Sequence, residues 1–500
     1  MPVAVTNAVN GGDRAGPLRR RWTQGIVVCA LVVVTACSLA PDYQVPEVPV
    51  AGHYRDAGWA PAAPADHLSR GPWWTLYGDA ELNALAARFE ANSPDLAAAL
   101  ARFEQAAAYR DQTRSILFPR VSLEGQVTSN REAEMDPPGG SIQHDYNSST
   151  LGAGASYEID LWGRVRNAVR AGDAEFAAAA ADLESARLSL QAELVDDYVQ
   201  LRRLDREAEL LADTAEAYER ALDVTLKRQQ AGITSGLDVA RARTELRSTK
   251  ALISTTAADR ALFEHAIAVL IGESPSSFTI SAREQPLTLP VIPTDIPAML
   301  LQRRPDIAAA ERRTAAASAT VGVARAAWFP TISLSGNVGY ASFERTDWFR
   351  ASNLFWSIGP GLALDLFDGG LRDAQLRQAR AALDQAGADY RAVALGAFAQ
   401  VEDNLALLDR YRTAAEEQGL AVDAARQAQD YAMVRYRAGA ANYLEVTTAQ
   451  AAALRTQRDA LALETGQLRA SVALVRALGG GWQAPDIAVS SVSPVAAREQ

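Results

Sequence analysis

The chain has 500 residues, a formal net charge of −11, two cysteines and four histidines. This length allows a large core or several domains, and the acidic balance argues against a nucleic-acid partner. Two cysteines are too few for a disulfide framework, and signal cleavage before Cys37 would remove Cys29. The four histidines are scattered without the spacing of metal ligands.

The N-terminus has the layout of a secretory signal. Arg19-Arg20-Arg21 precede an almost wholly apolar run over 25–36, which is too short to span a membrane. The run ends Val34-Thr35-Ala36-Cys37, and small residues before a cysteine are similar to the end of a bacterial lipoprotein signal. We therefore predict a signal peptide over 1–36 and acylation of Cys37, with palmitate among the lipids. Ordinary cleavage nearby is the alternative.

Residues 40–64 are rich in proline and show no periodic pattern of apolar residues, which predicts an extended tether. This tether lies within a lipidated segment, 37–75. Asp79 then predicts the start of a short helix that ends near Ala91. Ser93-Pro94 predicts the start of a longer helix through Ile116, because proline is favoured in the first turn.

Four stretches alternate between apolar and polar or small residues, a period of two that predicts strands. Their apolar residues are Val121, Leu123 and Val127; Leu151, Ala153, Ala155, Tyr157 and Ile159; Ile332, Leu334, Val338 and Tyr340; and Trp356, Ile358, Leu362, Leu364 and Leu366. Pro360 interrupts the last stretch and predicts a bulge. Strands of about ten residues with this pattern suit a membrane β-barrel, and a soluble β-sandwich is the alternative.

Four strands are too few to close a barrel, since about eight is the smallest number that does. We therefore predict that several chains share one barrel, because an open sheet edge in lipid would leave backbone groups unpaired. The segments 132–148 and 341–353 are predicted to be extracellular loops, because long loops lie on that side of such barrels.

Two Ala-rich helical hairpins follow the two pairs of strands, and the second hairpin repeats the first. Gly232 and Gly439, at the turns, are 207 positions apart, as are Gly272 and Gly479 at the hairpin ends. The stretch 167–230 has no proline, and its apolar residues recur every seven positions as in a coiled coil. Such a helix would extend roughly 95 Å. The fixed offset predicts an internal duplication, and a purely structural coiled coil is the alternative.

The duplication divides the chain into a first repeat (76–273), a second repeat (298–482) and a disordered tail (483–500). A proline-rich linker, 274–297, separates the repeats. A short helix is predicted over 295–302, and a longer one from Arg303 to about Ala326 that matches the helix before Phe118.

Several motifs, taken together, resemble those of the outer membrane factor family of TolC-like channels. They are Pro41-Asp42-Tyr43, the LQRRPDI signature from Leu301 to Ile307, Asp160-Leu161-Trp162-Gly163, Asp365 to Gly370, Arg435 to Gly439, Asn442 to Val446 and Leu478 to Trp482. The resemblance covers about residues 37–482 and is to the NodT-type lipoprotein branch, which serves resistance-nodulation-division efflux systems. It implies a mixed α+β membrane protein. It also implies a trimer, in which a shared twelve-stranded β-barrel continues into a long periplasmic α-helical barrel, with an equatorial domain of short helices.

The same resemblance implies a function and partners. The expected function is a passive exit duct of a tripartite multidrug-resistance efflux pump in the outer membrane of a Gram-negative bacterium. The expected partners are a periplasmic adaptor (membrane fusion) protein and an inner-membrane resistance-nodulation-division transporter. A duct for type I protein secretion and a periplasm-spanning structural lipoprotein are the alternatives. No phosphate loop or nucleophile elbow is present, so we expect no enzyme activity and no cofactor besides the lipid.

The resemblance further implies a periplasmic gate at the hairpin turns, at the end of the helical barrel farthest from the strands. Glu445 occupies the first acidic position of the family's closing ring, whereas Thr448 stands where a second aspartate is common. Leu444 matches an apolar constriction, and Tyr436 and Asp238 match a pair that bonds neighbouring hairpins. We hypothesise that Leu444 and this pair contribute more to closure than Thr448. The alternative is that Glu445 and Asp238 are solvated helix-surface charges.

Overall fold

The computed structural model describes residues 38–49, 72–131, 145–283, 285–290, 292, 304–343 and 348–480. Their helices are α1 (Ala80–Asn92), α2 (Pro94–Ser115), α3 (Arg164–Gln230), α4 (Gly236–Leu270), α5 (Pro305–Ala326), α6 (Leu371–Arg437) and α7 (Tyr443–Ala477). Their strands are β1 (Arg120–Arg131), β2 (Asp145–Glu158), β3 (Thr331–Ser342) and β4 (Leu354–Ala363). The predicted signal peptide, Cys37, the helix over 295–302 and the tail over 483–500 lie outside the described residues.

The short helices begin where their capping residues predict. The Asp79 carboxylate accepts hydrogen bonds from the backbone N–H groups of Glu81 (2.8 Å) and Leu82 (3.0 Å) at the start of α1. Pro94 is the first residue of α2, which ends one residue before the predicted Ile116. These local predictions are confirmed because caps and breakers act within one turn of the chain.

The strands form one antiparallel sheet in the order β1-β2-β3-β4. Its register places Leu123, Ala153, Val338 and Trp356 in one row across the four strands. Since side chains alternate between faces, the predicted apolar residues that lie within the four strands share one face. Ile159, Leu364 and Leu366 lie beyond the strand ends. That face is uncovered within the chain: Leu123 is 75% exposed and Trp356 is 71% exposed.

The prediction of a bulge at Pro360 is wrong. Pro360 pairs with Leu334, and the register on both sides of this pair is unbroken. The reason is the position of β4, which pairs on one side only among the residues that the structure describes. An edge strand tolerates a residue without an N–H, because one row of its backbone groups has no partner strand.

The strands are longer at the loops than the sequence predicts. β2 already begins at Asp145, where residues 145–148 pair with the end of β1. β3 extends to Ser342, and a 3₁₀ turn, Ala351–Asn353, precedes β4. Both predicted loops, 132–148 and 341–353, therefore include strand residues at one end.

The two helical hairpins have matching dimensions. α3 and α6 each contain 67 residues, and α4 and α7 each contain 35 residues. The corresponding helix bounds differ by the offset predicted from the glycines, which supports an internal duplication. Within the described residues, no helix combines the length and the apolar composition that crossing a membrane requires.

The described residues fall into two compact units. Those of the first unit, which contains the sheet, lie within Met1–Gln44, Tyr109–Ala174 and Ala315–Gln385; those of the second lie within Val45–Ala108, Glu175–Thr314 and Ala386–Gln500. The core of the second unit packs α1 against the long helices, with Phe89, Leu194 and Leu201 each at most 1% exposed.

A buried ionic network in the second unit ties the linker to the helices. The Arg202 side chain is 3% exposed and the Asp205 side chain is 2% exposed, with 2.7 Å between them. Arg202 also donates to Glu81 of α1 (2.5 Å) and to the carbonyl oxygen of Ser281 (2.8 Å). The described residues of the linker are therefore irregular, as predicted, yet anchored.

The residues that follow Cys37 are docked in the first unit. The Ser38 hydroxyl donates to the Asn167 side-chain oxygen (3.1 Å), and Arg325 donates to the Leu39 carbonyl oxygen (3.2 Å). Gly322 leaves the space that Ala40 occupies, since a Cβ atom at position 322 would lie 2.8 Å from the Cβ of Ala40. The start of the predicted tether is thus held by contacts with α3 and α5.

Candidate functional site at the hairpin turns

Both hairpin turns end their first helix in the same way. Gly232 and Gly439 have φ angles of 73° and 74°, which lie in the left-handed region that favours glycine. The N–H of Gly232 donates to the Gln229 carbonyl (2.9 Å), and the N–H of Gly439 donates to the Tyr436 carbonyl (3.0 Å). These are the bonds of a glycine C-cap, so the two glycines fix where α3 and α6 end.

The two predicted acidic residues occupy equivalent positions after the turns. Ser235 and Asn442 cap α4 and α7, and their side chains accept hydrogen bonds from the backbone N–H groups of Asp238 (3.4 Å) and Glu445 (3.2 Å). Both carboxylates therefore lie in the first turn of a helix, where negative charge is stabilising.

Tyr436 joins the two hairpins within one chain. It is 2% exposed, and its ring centroid lies 5.1 Å from that of Tyr443 in an edge-to-face arrangement. The Arg228 guanidinium lies 4.8 Å from the Tyr436 ring centroid, and Arg228 also donates to the Arg437 carbonyl (3.0 Å). The two turns are thus adjacent, and a cation–π contact and a hydrogen bond hold them together.

The structure does not pair Tyr436 with Asp238 within one chain. The Tyr436 hydroxyl lies 3.5 Å from the Thr225 hydroxyl oxygen, to which it donates. Asp238 accepts instead from the Thr234 hydroxyl (2.5 Å) and lies 3.6 Å from the Arg241 guanidinium. A bond between Tyr436 and Asp238 of different chains stays a prediction.

Glu445, Leu444 and Thr448 lie on the surface of α7. Glu445 is paired with Arg435 across the second turn, with 3.1 Å between charged atoms and side chains 43% and 58% exposed. Leu444 is 48% exposed, and Leu237, at the equivalent position of the first hairpin, is 59% exposed. The family motifs do not include Leu237, although the offset between the repeats identifies it.

Burial makes the phenol of Tyr443 harder to ionise. It raises the pKa of Tyr443 to about 12, and the neighbouring Tyr436 and Glu245 add to this effect. Tyr443 is therefore an uncharged side chain in the physiological pH range. The described residues contain no group of three or more acidic, histidine or cysteine side chains placed to hold a metal ion.

The chain matches the family described as outer membrane efflux protein over residues 85–273 and 296–480. It is 31% identical over 476 residues to the toluene efflux pump outer membrane protein TtgF of Pseudomonas putida, covering 92% of this chain and 97% of TtgF. It is 32% identical over 463 residues to the outer membrane protein OprJ of Pseudomonas aeruginosa, covering 91% of this chain and 96% of OprJ.

A solved structure of the outer-membrane channel OprN superimposes with a TM-score of 0.82 at 32% identity, covering 89% of this chain and 100% of OprN. The family matches include both repeats with their helical hairpins, and the relatives align over nearly their full lengths. The resemblance found in the sequence motifs is therefore confirmed: this chain belongs to the outer membrane efflux protein family, whose members are transport channels of the outer membrane and not enzymes.

Proposed function

We propose that three copies of this chain form the outer-membrane exit duct of a tripartite efflux pump, together with a periplasmic adaptor and an inner-membrane resistance-nodulation-division transporter. The cargo class would be small toxic compounds. The name of TtgF, a toluene efflux pump outer membrane protein, supports this class.

The four-stranded sheet carries the proposal. Among the described residues, β1 and β4 each pair with one strand only, and no described segment covers the apolar face. Three sheets joined edge to edge would give twelve strands with no open edge, Pro360 alone lacking an N–H group in β4, and would turn the apolar face to lipid. Purified protein in planar bilayers should therefore conduct ions, and monomers without conductance would contradict the duct.

We infer further that Cys37 carries the acyl chains but that the barrel is the main anchor, because lipid anchoring does not approach the almost irreversible insertion of a membrane-spanning structure. Cys37→Ala, expressed with a conventional cleavage site, should still yield trimers in the outer-membrane fraction. Membrane fractionation followed by gel analysis of unheated samples would measure this. Recovery of the variant only as soluble monomer would show that the lipid is indispensable.

The gate of this duct would lie at the hairpin turns. A trimer brings six turns around one axis, with Leu444 and Leu237 from each chain available for an apolar constriction. Three copies of Glu445 would attract cations. Arg435, 3.1 Å from Glu445, offsets part of that charge, so we expect a modest cation preference.

Single-channel recordings test the gate. Glu445→Ala should reduce cation preference, and Leu444→Ser should raise the resting conductance because a hydroxyl does not exclude water. Tyr436→Phe should also raise it if the hydroxyl binds Asp238 of a neighbouring chain. Glu416→Ala is the matched control, since Glu416 is also an exposed glutamate paired with an arginine, Arg412 (3.1 Å). If Glu445→Ala and Leu444→Ser behave like the control, the gate lies elsewhere.

A further inference from the structure

An aromatic pair closes the junction between the two repeats in the sheet. The rings of Trp162 and Phe329 are stacked, with centroids 4.8 Å apart and an angle of 26° between their planes. The Trp162 indole N–H also donates to the Pro330 carbonyl oxygen (2.8 Å). Trp162 follows the end of β2, and Phe329 precedes the start of β3. The pair therefore joins two adjacent strands at the points where they leave the sheet.

The duplication supplies a second set of the same residues. Asp365-Leu366-Phe367 follows β4 as Asp160-Leu161-Trp162 follows β2, and the third residue stands four positions past the strand end in both. Phe118-Pro119 likewise precedes β1 as Phe329-Pro330 precedes β3, with the phenylalanine two positions before the strand in both. Phe367 and Phe118 are thus the counterparts of Trp162 and Phe329.

Within the part of the chain that the structure describes, the counterparts have no such contact. β4 and β1 are the two opposite edges of the sheet. Phe367 is 91% exposed and Phe118 is 70% exposed, whereas the stacked Phe329 is 37% exposed. Two large aromatic rings are therefore left uncovered at the two edges that the proposed trimer would join.

We propose that Phe367 of each protomer stacks on Phe118 of the partner subunit and closes the junction between β4 and the adjoining β1. The occupant of this surface is a second copy of the same chain, and the inference rests on the proposed trimer. Stacking would remove both rings from water and add the preference of aromatic rings for offset packing. Because Phe367 lacks the indole N–H of Trp162, the junction between subunits has the stack without the hydrogen bond to the proline carbonyl.

Cysteine crosslinking tests the contact directly. The double variant Phe118→Cys/Phe367→Cys, treated in membranes with a short thiol-specific crosslinker, should give covalent dimers and trimers. The single variants control for any link through Cys37. The matched pair Trp162→Cys/Phe329→Cys should crosslink within one chain, as detected by peptide mapping, and should give no covalent oligomers.

The outcomes separate the stack from the trimer. The stack is overturned if Phe118→Cys/Phe367→Cys assembles into trimers without crosslinks between subunits, under conditions in which the matched pair does crosslink. The proposed function is then unaffected. A wild-type chain that does not assemble overturns both.

A variant that is expected to strengthen the contact gives a second test. Phe367→Trp restores an indole N–H that can donate to the Pro119 carbonyl, so it should raise the temperature at which trimers dissociate in detergent. Phe367→Ala should lower it, and adding Phe118→Ala should cause little further loss, because both changes remove one contact. Additive losses, or equal temperatures for Phe367→Trp and Phe367→Ala, contradict the stack.

Discussion

Val338→Arg is expected to abolish the assembly of trimers in the outer membrane. Val338 lies in β3 on the apolar face, is 50% exposed and is aligned with Leu123 and Trp356 across the sheet. In the proposed barrel this face meets lipid. An arginine near the bilayer midplane of a barrel costs about 2–4 kcal/mol, and a trimer carries three copies. Gel analysis of unheated membrane samples measures the loss.

Asn337→Arg is the matched control for this prediction. Asn337 is the preceding residue of the same strand, is also exposed and points to the opposite, polar face. The same charge would there face the aqueous lumen, so trimers should assemble. If Val338→Arg formed trimers as readily as Asn337→Arg, the apolar face would not meet lipid, and the soluble sandwich would be favoured instead.

Arg202→Met is expected to destabilise the second unit strongly. The substitution keeps most of the side-chain volume but removes the donors to Asp205, Glu81 and the Ser281 carbonyl. Removing one partner of a buried ion pair costs about 3–5 kcal/mol because the other charge stays buried. We expect a loss of stability at the lower end of this range, since Arg260 still donates to Asp205 (2.6 Å). Thermal unfolding followed by circular dichroism should show a lower midpoint.

Arg220→Met controls for the loss of an arginine from α3. Arg220 pairs with Glu216 one turn away, and both side chains are more than half exposed, at 62% and 69%. Exposed pairs of this kind contribute at most about 1 kcal/mol, so the unfolding midpoint should hardly move. Equal midpoints for the two variants would mean that the buried network contributes no more than a surface pair.

The sequence predicts those parts of the fold that depend on local pattern. The caps at Asp79 and Pro94, the hairpin glycines and the alternation in the strands all act within a few residues. The start of β2 was missed because residues 145–148 are polar and do not alternate. Their strand conformation depends on pairing with Ser129 and Asn130 of β1, and a partner strand leaves no mark on the local sequence.

In the candidate site, too, the local sequence predicts some residues but not the contacts between distant segments. Glu445 and Leu444 could be found from their motif, and Leu237 from the offset between the repeats. The contacts of Tyr436 could not be found, because its partners Thr225 and Arg228 lie on the other hairpin. Whether two distant side chains meet depends on how the long helices pack, which periodicity does not specify.

The docked segment after Cys37 has a consequence for the order of maturation. Leu39 and Ala40 are made early, yet they contact Arg325 and Gly322, which are synthesised more than 280 residues later. The segment after Cys37 therefore reaches its native position only after α5, at the start of the second repeat, has been made and has folded. A contact of such long sequence separation forms late. The residues next to Cys37, the predicted site of acylation, thus stay undocked until α5 has been made.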